Sequence, residues 1–325
     1  NDHDNRNTGA SALNAEFACP TEPCFALSEH IELRSREDIE ALCGVIGVRD
    51  GQEAARWLLE PENLKMILLA IPKADFLLFR RAAGETFIND EGVVLPRHRS
   101  ALMFCLMTAF KTRRGIFITV PTEIKRLWSD LDRLGFGEYK LKRDELDAFA
   151  AACAKLYGAL TLDELCEIFA LRSEYGSITK QQALSMLEGL DDGQGYVIED
   201  GYVLHPTARP ELAGDYISVR AGIERYLPDR EKLERLGEGD YYDIFRELEL
   251  YRLSVEDSMG ESRAMAMVDS LYMLLASELY GPFVRRDFFE WFGLEEDRQL
   301  TEKLKRKVRQ WRLYGHTAEE LEKKR

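Results

Sequence analysis

The stretch that decides the fold is GYVIEDGYVLHP, residues 195–206. Tyr196 to Glu199 alternates aromatic and β-branched residues with an acidic one, the pattern of a half-buried strand. Asp200-Gly201 is a tight-turn dipeptide. Tyr202 to His205 reads as the returning strand, and Pro206 stops it. The stretch is therefore expected to be a β-hairpin. Two helix starts stand upstream of it. TLDELCEIFALRS opens with Thr161 and Glu164, and ITKQQALSMLEG with Thr179 and Gln182. Both pairs have the spacing in which a hydroxyl and a longer side chain satisfy each other's backbone N–H groups. KRDELDAFAAACAKLYG supplies a helix before them. Helix, helix, helix, hairpin is the order of a winged helix-turn-helix, with 179–189 in the recognition position. Its core is expected to include Leu162, Leu165, Ile168, Phe169, Leu184, Leu187, Val197 and Val203.

Working outward, the chain divides into four expected segments. Residues 1–30 read as a polar N-terminal tail and 31–135 as a helical module with short strands. Residues 136–215 hold the winged-helix-like domain, and 216–325 a C-terminal helical domain. The expected fold class is mainly α with short β-hairpins. Ser35 caps a helix at SREDIEALCGVIGV, and PENLKMILLAI and KADFLLFRRAAG follow as short helices. TFINDEGVVLP has extended character, with a turn at 89–92. RSALMFCLMTAFKTRRG reads as an apolar helix with a basic end and a glycine stop, followed by a strand at IFITV. Near the end, Leu300, Leu304, Val308 and Trp311 share one side of a helix, and Thr317 with Glu320 repeats the capping pattern.

The final segment also carries a resemblance. YGALTLDELCEIF, YLPDREKLERLGEGDYYDIFRELELYRL and WRLYGHTAEEL are similar to a group of bacterial SEC-C-motif or Rho-termination-N-like proteins. Trp311, Leu313, Gly315, His316, Thr317, Glu320 and Leu321 match that group's closing pattern, while Ala318 stands where proline is usual. No Cys cluster of the group's zinc-binding SEC-C tail follows Trp311 within these residues, so no zinc is expected from the resemblance. The resemblance implies a fold, and no catalytic residue to transfer.

Composition narrows function. The 325 residues carry a net charge of −14, which repels phosphate on average. The apolar run ALMFCLMTAF is too short to span a bilayer, so no membrane role is expected. The opening NDHDNRNTGASALNAEF lacks the apolar centre of a signal peptide. Cys105, Cys153 and Cys166 fall in apolar patterns, which favours free thiols and a cytoplasmic setting. Cys19 and Cys24 form CPTEPC without a second ligand pair nearby, and His3 lies in the polar tail, so no metal is expected. No phosphate-binding loop, nucleophile elbow or metalloprotease helix is present. Neither a catalytic residue nor a cofactor is therefore expected.

Charge distribution says more. Residues 157–207 hold Arg172 and Lys180 against nine carboxylates, a poor surface for reading guanine. The hairpin is thus expected to contact protein. Two basic stretches run against the average. Arg97, Arg99, Lys111, Arg113, Arg114, Lys125 and Arg126 face only Glu123 over 95–128. Lys303, Lys305, Arg306, Lys307, Arg309 and Arg312 surround Trp311 with no acid over 303–313. The first stretch is expected to place its arginines at both ends of one helix, able to follow a phosphate backbone, and Trp311 is a candidate for stacking a base. The second has a competing reading, in which its cations pair with the acidic winged-helix-like domain over 136–215 and its apolar residues form a helix's buried side. The leading expectation is a non-enzymatic protein-interaction module with an unidentified protein partner. The alternative is a nucleic-acid-binding regulator acting through 95–128.

Overall fold

The computed structural model describes residues 21–90, 99–190, 195–238, 246–277 and 282–324, with backbone alone at Asp90, Arg99 and 282–285. The protein is mainly helical, with two three-stranded antiparallel sheets among the described residues. Contacts part the chain into two units, 1–141 and 142–325.

The first unit begins earlier than its composition suggested. Helix α1 (Leu27–Glu32) begins inside the expected polar tail, with Leu27 and His30 buried. The Glu29 carboxylate accepts the N–H groups of Phe25 and Ala26 at 2.9 and 3.0 Å, satisfying donors that a helix start leaves open. Then come α2 (Arg36–Ile46), α3 (Gly51–Leu58), α4 (Pro61–Ala70) and α5 (Lys73–Gly84). Ser35 caps α2 as expected, accepting from the Asp38 N–H. After strand β1 (Ile88–Asp90) the expected helix over RSALMFCLMTAFKTRRG breaks up. Only α6 (Arg99–Met103) is helical. Cys105 takes φ +55°, and the chain runs into β2 (Thr108–Thr112) and β3 (Gly115–Thr119). The reason lies in side chains that a helical reading ignores. Phe110 stacks on Phe117 across the hairpin at 5.6 Å, while Ile116 and Ile118 face the core. A short apolar run fits a buried strand as well as a helix, and these cross-strand pairs decide between them. Helix α7 (Thr122–Arg133) closes the core, with Trp128 meeting Phe76 and Phe79 edge-on at 5.6 and 5.4 Å.

The second unit contains the opening stretch. Within it are the end of α8 (Phe136–Tyr157), strand β4 (Ala159–Thr161), α9 (Leu162–Arg172) and α10 (Lys180–Leu187), then β5 (Val197–Glu199) and β6 (Tyr202–Leu204). The hairpin forms as read. Val197 pairs with Leu204, Ile198 with Val203, and Glu199 with Tyr202. Asp200 and Gly201 both take positive φ, +50° and +82°, the demand of a two-residue turn whose twist matches its strands. The sheet order is β4-β6-β5, so an unforeseen strand, β4, pairs with β6 and makes it central.

Of the eight expected core residues, Leu162, Leu165, Ile168, Phe169, Leu187 and Val203 are buried. Val197 is half-buried, and Leu184 is 40% exposed. The helix turns Ala183, Met186 and Leu187 inward instead, which leaves Leu184 on the outer side.

The boundary expected near 215 falls inside this unit. Strand side chains alternate between faces, and both faces of this sheet are apolar. Leu160 and Val203 join the core of α8 to α10, while Ala159 and Leu204 join the core of the C-terminal helices. The C-terminal helices are α11 (Ala213–Ser218), α12 (Arg230–Glu238), α13 (Arg246–Met259), α14 (Glu261–Ser277), α15 (Pro282–Phe292), α16 (Arg298–Lys307) and α17 (Ala318–Lys324) among the described residues, and of these α12 packs Leu233 and Leu236 into the core of α8 to α10. Helix α16 stops at Lys307, so the expected four-residue helix side ends early. Val308 is extended, and Trp311 starts a separate 3-10 turn.

Candidate functional site

The expected recognition position is held by α10. Thr179 accepts the Gln182 N–H at 3.2 Å, and the Gln182 side chain accepts the Thr179 N–H at 2.9 Å. At the other end the Arg143 guanidinium donates to the Met186 carbonyl at 2.8 Å. With its inner side fixed by Ala183, Met186 and Leu187, the helix presents Lys180, Gln181, Leu184 and Ser185 outward. These residues, with Glu188 and Ile198 of the hairpin, line a groove of about 920 Å³. Lys180 does not stand free in it. Its ammonium lies 3.2 Å from the Asp163 carboxylate and close to the hairpin turn, 3.9 Å from where a Cβ on Gly201 would stand. The groove therefore offers an apolar floor, the Gln181 amide, the Ser185 hydroxyl and the Glu188 carboxylate, with its one lysine paired to Asp163.

The basic stretch over 95–128 is arranged differently from the sequence expectation. Arg97 lies outside the described residues, and Arg99 begins α6. Lys111 is half-buried on β2, and Arg113 and Arg114 are exposed at the tip of the β2–β3 hairpin. Arg114 is held there by its N–H, which donates to the Thr112 hydroxyl at 3.0 Å. Lys125 is spent on backbone, donating to the carbonyls of Glu85 and Thr86, and burial lowers its pKa. Arg126 is exposed on α7. The helix that was to carry arginines at both ends does not exist, so the spacing argument for a phosphate track falls with it.

The second basic stretch is mostly paired, with carboxylates of the C-terminal segment rather than with those of 136–215. Lys303 and Lys307 meet Glu247 at 3.5 and 2.5 Å, and Arg306 meets Glu322 at 2.5 Å. Arg309 is buried, bound to Glu320 at 3.2 Å with its guanidinium 3.5 Å from the Tyr226 ring centre. Lys305 is half-buried, its carbonyl accepting from Gln310 at 2.8 Å, and Arg312 donates to the Gln310 side chain at 3.1 Å. Trp311 has no exposed surface, and its indole N–H donates to the Lys155 carbonyl at 3.0 Å. It is a core residue and has no face left for a base.

The closing motif is a clasp. Gly158, which ends α8 at φ +72°, lies directly beneath Trp311. A Cβ there would stand 2.2 Å from the ring. Tyr314 takes φ +52° and donates its hydroxyl to Glu164, the capping residue of α9. Arg220 and Arg225 lie over its ring at 5.0 and 5.8 Å. Gly315 lets the chain pass the Tyr157 ring, where a Cβ would come within 2.9 Å. His316 donates through Nε2 to the Glu224 carbonyl at 3.0 Å. Thr317 and Glu320 form the third reciprocal cap, at 3.1 Å in each direction.

Beside the clasp is a polar cleft of about 670 Å³ that includes Glu164, Glu167, Arg172, Arg225, Tyr314 and His316. Burial opposes charge on Glu164, yet hydrogen bonds from Tyr314 and Thr161 hold its carboxyl below the usual range. Arg172 donates to the carbonyls of Pro228 and Leu227 at 2.8 and 3.3 Å, and Arg225 lies 3.7 Å from Glu167. The polar groups of this cleft serve one another, which is the arrangement of an internal joint.

His3 and Cys19 lie outside the described residues, while Cys24, Cys43, Cys105, Cys153 and Cys166 are free thiols. Among the described residues, no three His, Cys, Asp or Glu side chains gather as metal ligands, and no helix is long and apolar enough to cross a membrane. Comparison of the chain with protein-family models, with curated proteins and with solved structures finds no match in any of the three.

Proposed function

We propose that 136–215 holds a winged helix-turn-helix used as a protein-contact module, and that the protein acts by binding rather than by catalysis. Topology supports the fold reading. A helix, a strand, two helices and a hairpin occur in that order, with the first strand pairing to the second hairpin strand, as a winged helix requires. Fold alone does not assign function. One observation carries the protein-contact reading: Leu184 is 40% exposed on the outward face of α10, where Asp163 neutralises the one lysine. A helix that reads DNA needs cations there for phosphate and base edges. An exposed leucine without free cations suits an apolar anchor from another protein. The proposal includes kinship with the bacterial SEC-C or Rho-termination-N-like group, supported by the clasp residues, and a cytoplasmic location, supported by the free thiols.

The test places a photo-crosslinking amino acid at position 184 and irradiates native cells. The expected product is an adduct that nuclease leaves intact and protease digests. Adducts removed by nuclease, or no adduct, refute the reading.

The second reading, nucleic-acid binding by the first unit, retains one favourable observation: Arg113 and Arg114 are exposed together at a hairpin tip. It requires salt-dependent anisotropy of labelled oligonucleotides, weakened alike for all sequences by Arg113→Glu with Arg114→Glu. Equal binding by that double variant removes it.

A further inference from the structure

We propose that the groove between α10 and the hairpin receives a basic amphipathic helix of a partner protein. The inference rests on the protein-contact reading of 136–215 and names the chemistry of what binds. Its floor is apolar, built from Leu184, Leu187 and Ile198. Its surroundings are acidic. Glu188 lines the groove, and Asp200 is exposed at the hairpin turn. From 173 to 205 the only cation is Lys180, and it is occupied by Asp163. An occupant with one apolar stripe and flanking lysines or arginines would bury the first on Leu184 and Ile198. It would place the second against Glu188 and Asp200. An acidic or uncharged segment would leave those carboxylates facing a desolvated surface without partners.

The shape favours a helix over an added strand. The edge strand β5 has only three residues, Val197–Glu199, and offers few main-chain bonds. The outer side of α10 runs over its eight residues, about 12 Å or two turns. That length matches the apolar spacing of a short docked helix.

The test uses the full chain and two labelled synthetic peptides. One has leucine and lysine at helical spacing, and the other has glutamate in place of lysine. Fluorescence anisotropy is expected to detect the Leu/Lys peptide alone, with binding that weakens as salt rises. Leu184→Ser, and separately Glu188→Lys with Asp200→Asn, should each weaken it roughly tenfold, about 1.4 kcal/mol. Both sites are exposed, and thermal melts check that the variants fold. Glu37→Lys with Glu40→Lys, on exposed positions of α2, should bind as the parent does. The proposal is overturned if the groove variants bind like the parent, if the Leu/Glu peptide binds equally, or if duplex DNA binds there and is lost with Leu184→Ser. A protein adduct from position 184 together with a failed peptide result removes the basic partner alone. Absence of that adduct removes the protein-contact reading itself.

Discussion

At the scale of single residues, glycines show how closely backbone and side chains are matched. Gly158 and Gly176 have nearly the same left-handed φ, +72° and +71°. They differ in what surrounds them. A methyl at 158 would strike the buried Trp311 ring, while at 176 it would meet open space. Gly176→Ala should therefore cost only the left-handed strain, about 1–2 kcal/mol. Gly158→Ala should cost more than that, by about 2 kcal/mol or above, because the ring must move out of a filled core. Urea denaturation of the two variants measures the difference, and equal costs would refute the clasp. Trp311 itself illustrates what one residue type conceals. An indole amid arginines and lysines has the composition of a base-stacking site, yet burial and the hydrogen bond to Lys155 make it a core anchor.

At the scale of elements, three reciprocal caps were legible because each depends on residues three apart, which any helix start brings together. They are not equivalent in place. Thr179 and Gln182 are exposed, and Thr179→Ala should cost about 1 kcal/mol. Glu164 serves α9 and also receives the Tyr314 hydroxyl from the clasp. Glu164→Ala should thus cost more than Gln182→Ala and should loosen the C-terminal segment. Hydrogen exchange at 311–321 checks this, with faster exchange expected for the first variant alone. The hairpin at 195–206 was equally legible, since Asp-Gly between alternating residues specifies its own turn. The β2–β3 hairpin was not. Its tip is Arg113-Arg114, without a turn signature, and its strands continue an apolar run that suited a helix. Only the pairing of Phe110 with Phe117 and of Ala109 with Ile118 separates the two outcomes.

At the scale of the whole molecule, acid should weaken both units. Burial pushes His30 in the first unit down from 6.5 to about 4, against a hydrogen bond to the Cys24 carbonyl and with help from Arg34. Burial, with Lys155 nearby, pushes His205 in the second to about 4 as well. Each is neutral when folded and takes up a proton first when unfolded. The stability it contributes is complete above pH 6.5 and is lost as pH falls from 6.5 to about 4. The slope is at most about 1.4 kcal/mol per pH unit for each histidine. Denaturant midpoints should decline from about pH 7.5 to about pH 5, a range that spans the ordinary histidine pKa of about 6.5. His205→Asn should flatten the decline of the second unit, and constant midpoints would refute both assignments.

The sequence by itself determined what is local: capped helices, the Asp-Gly hairpin and the scarcity of cations along 173–205, because these follow from neighbours a few residues apart. Tertiary structure decided what depends on distant partners. It set β4 beside β6, joining two cores that the sequence divided near 215. It paired the 303–313 cations with Glu247, Glu320 and Glu322, and closed Trp311 over Gly158. It also left Leu184 outside a core for which its hydrophobicity alone had claimed it. Periodicity places a residue on a helix side within a turn, but only packing against other elements decides which positions within that turn are covered.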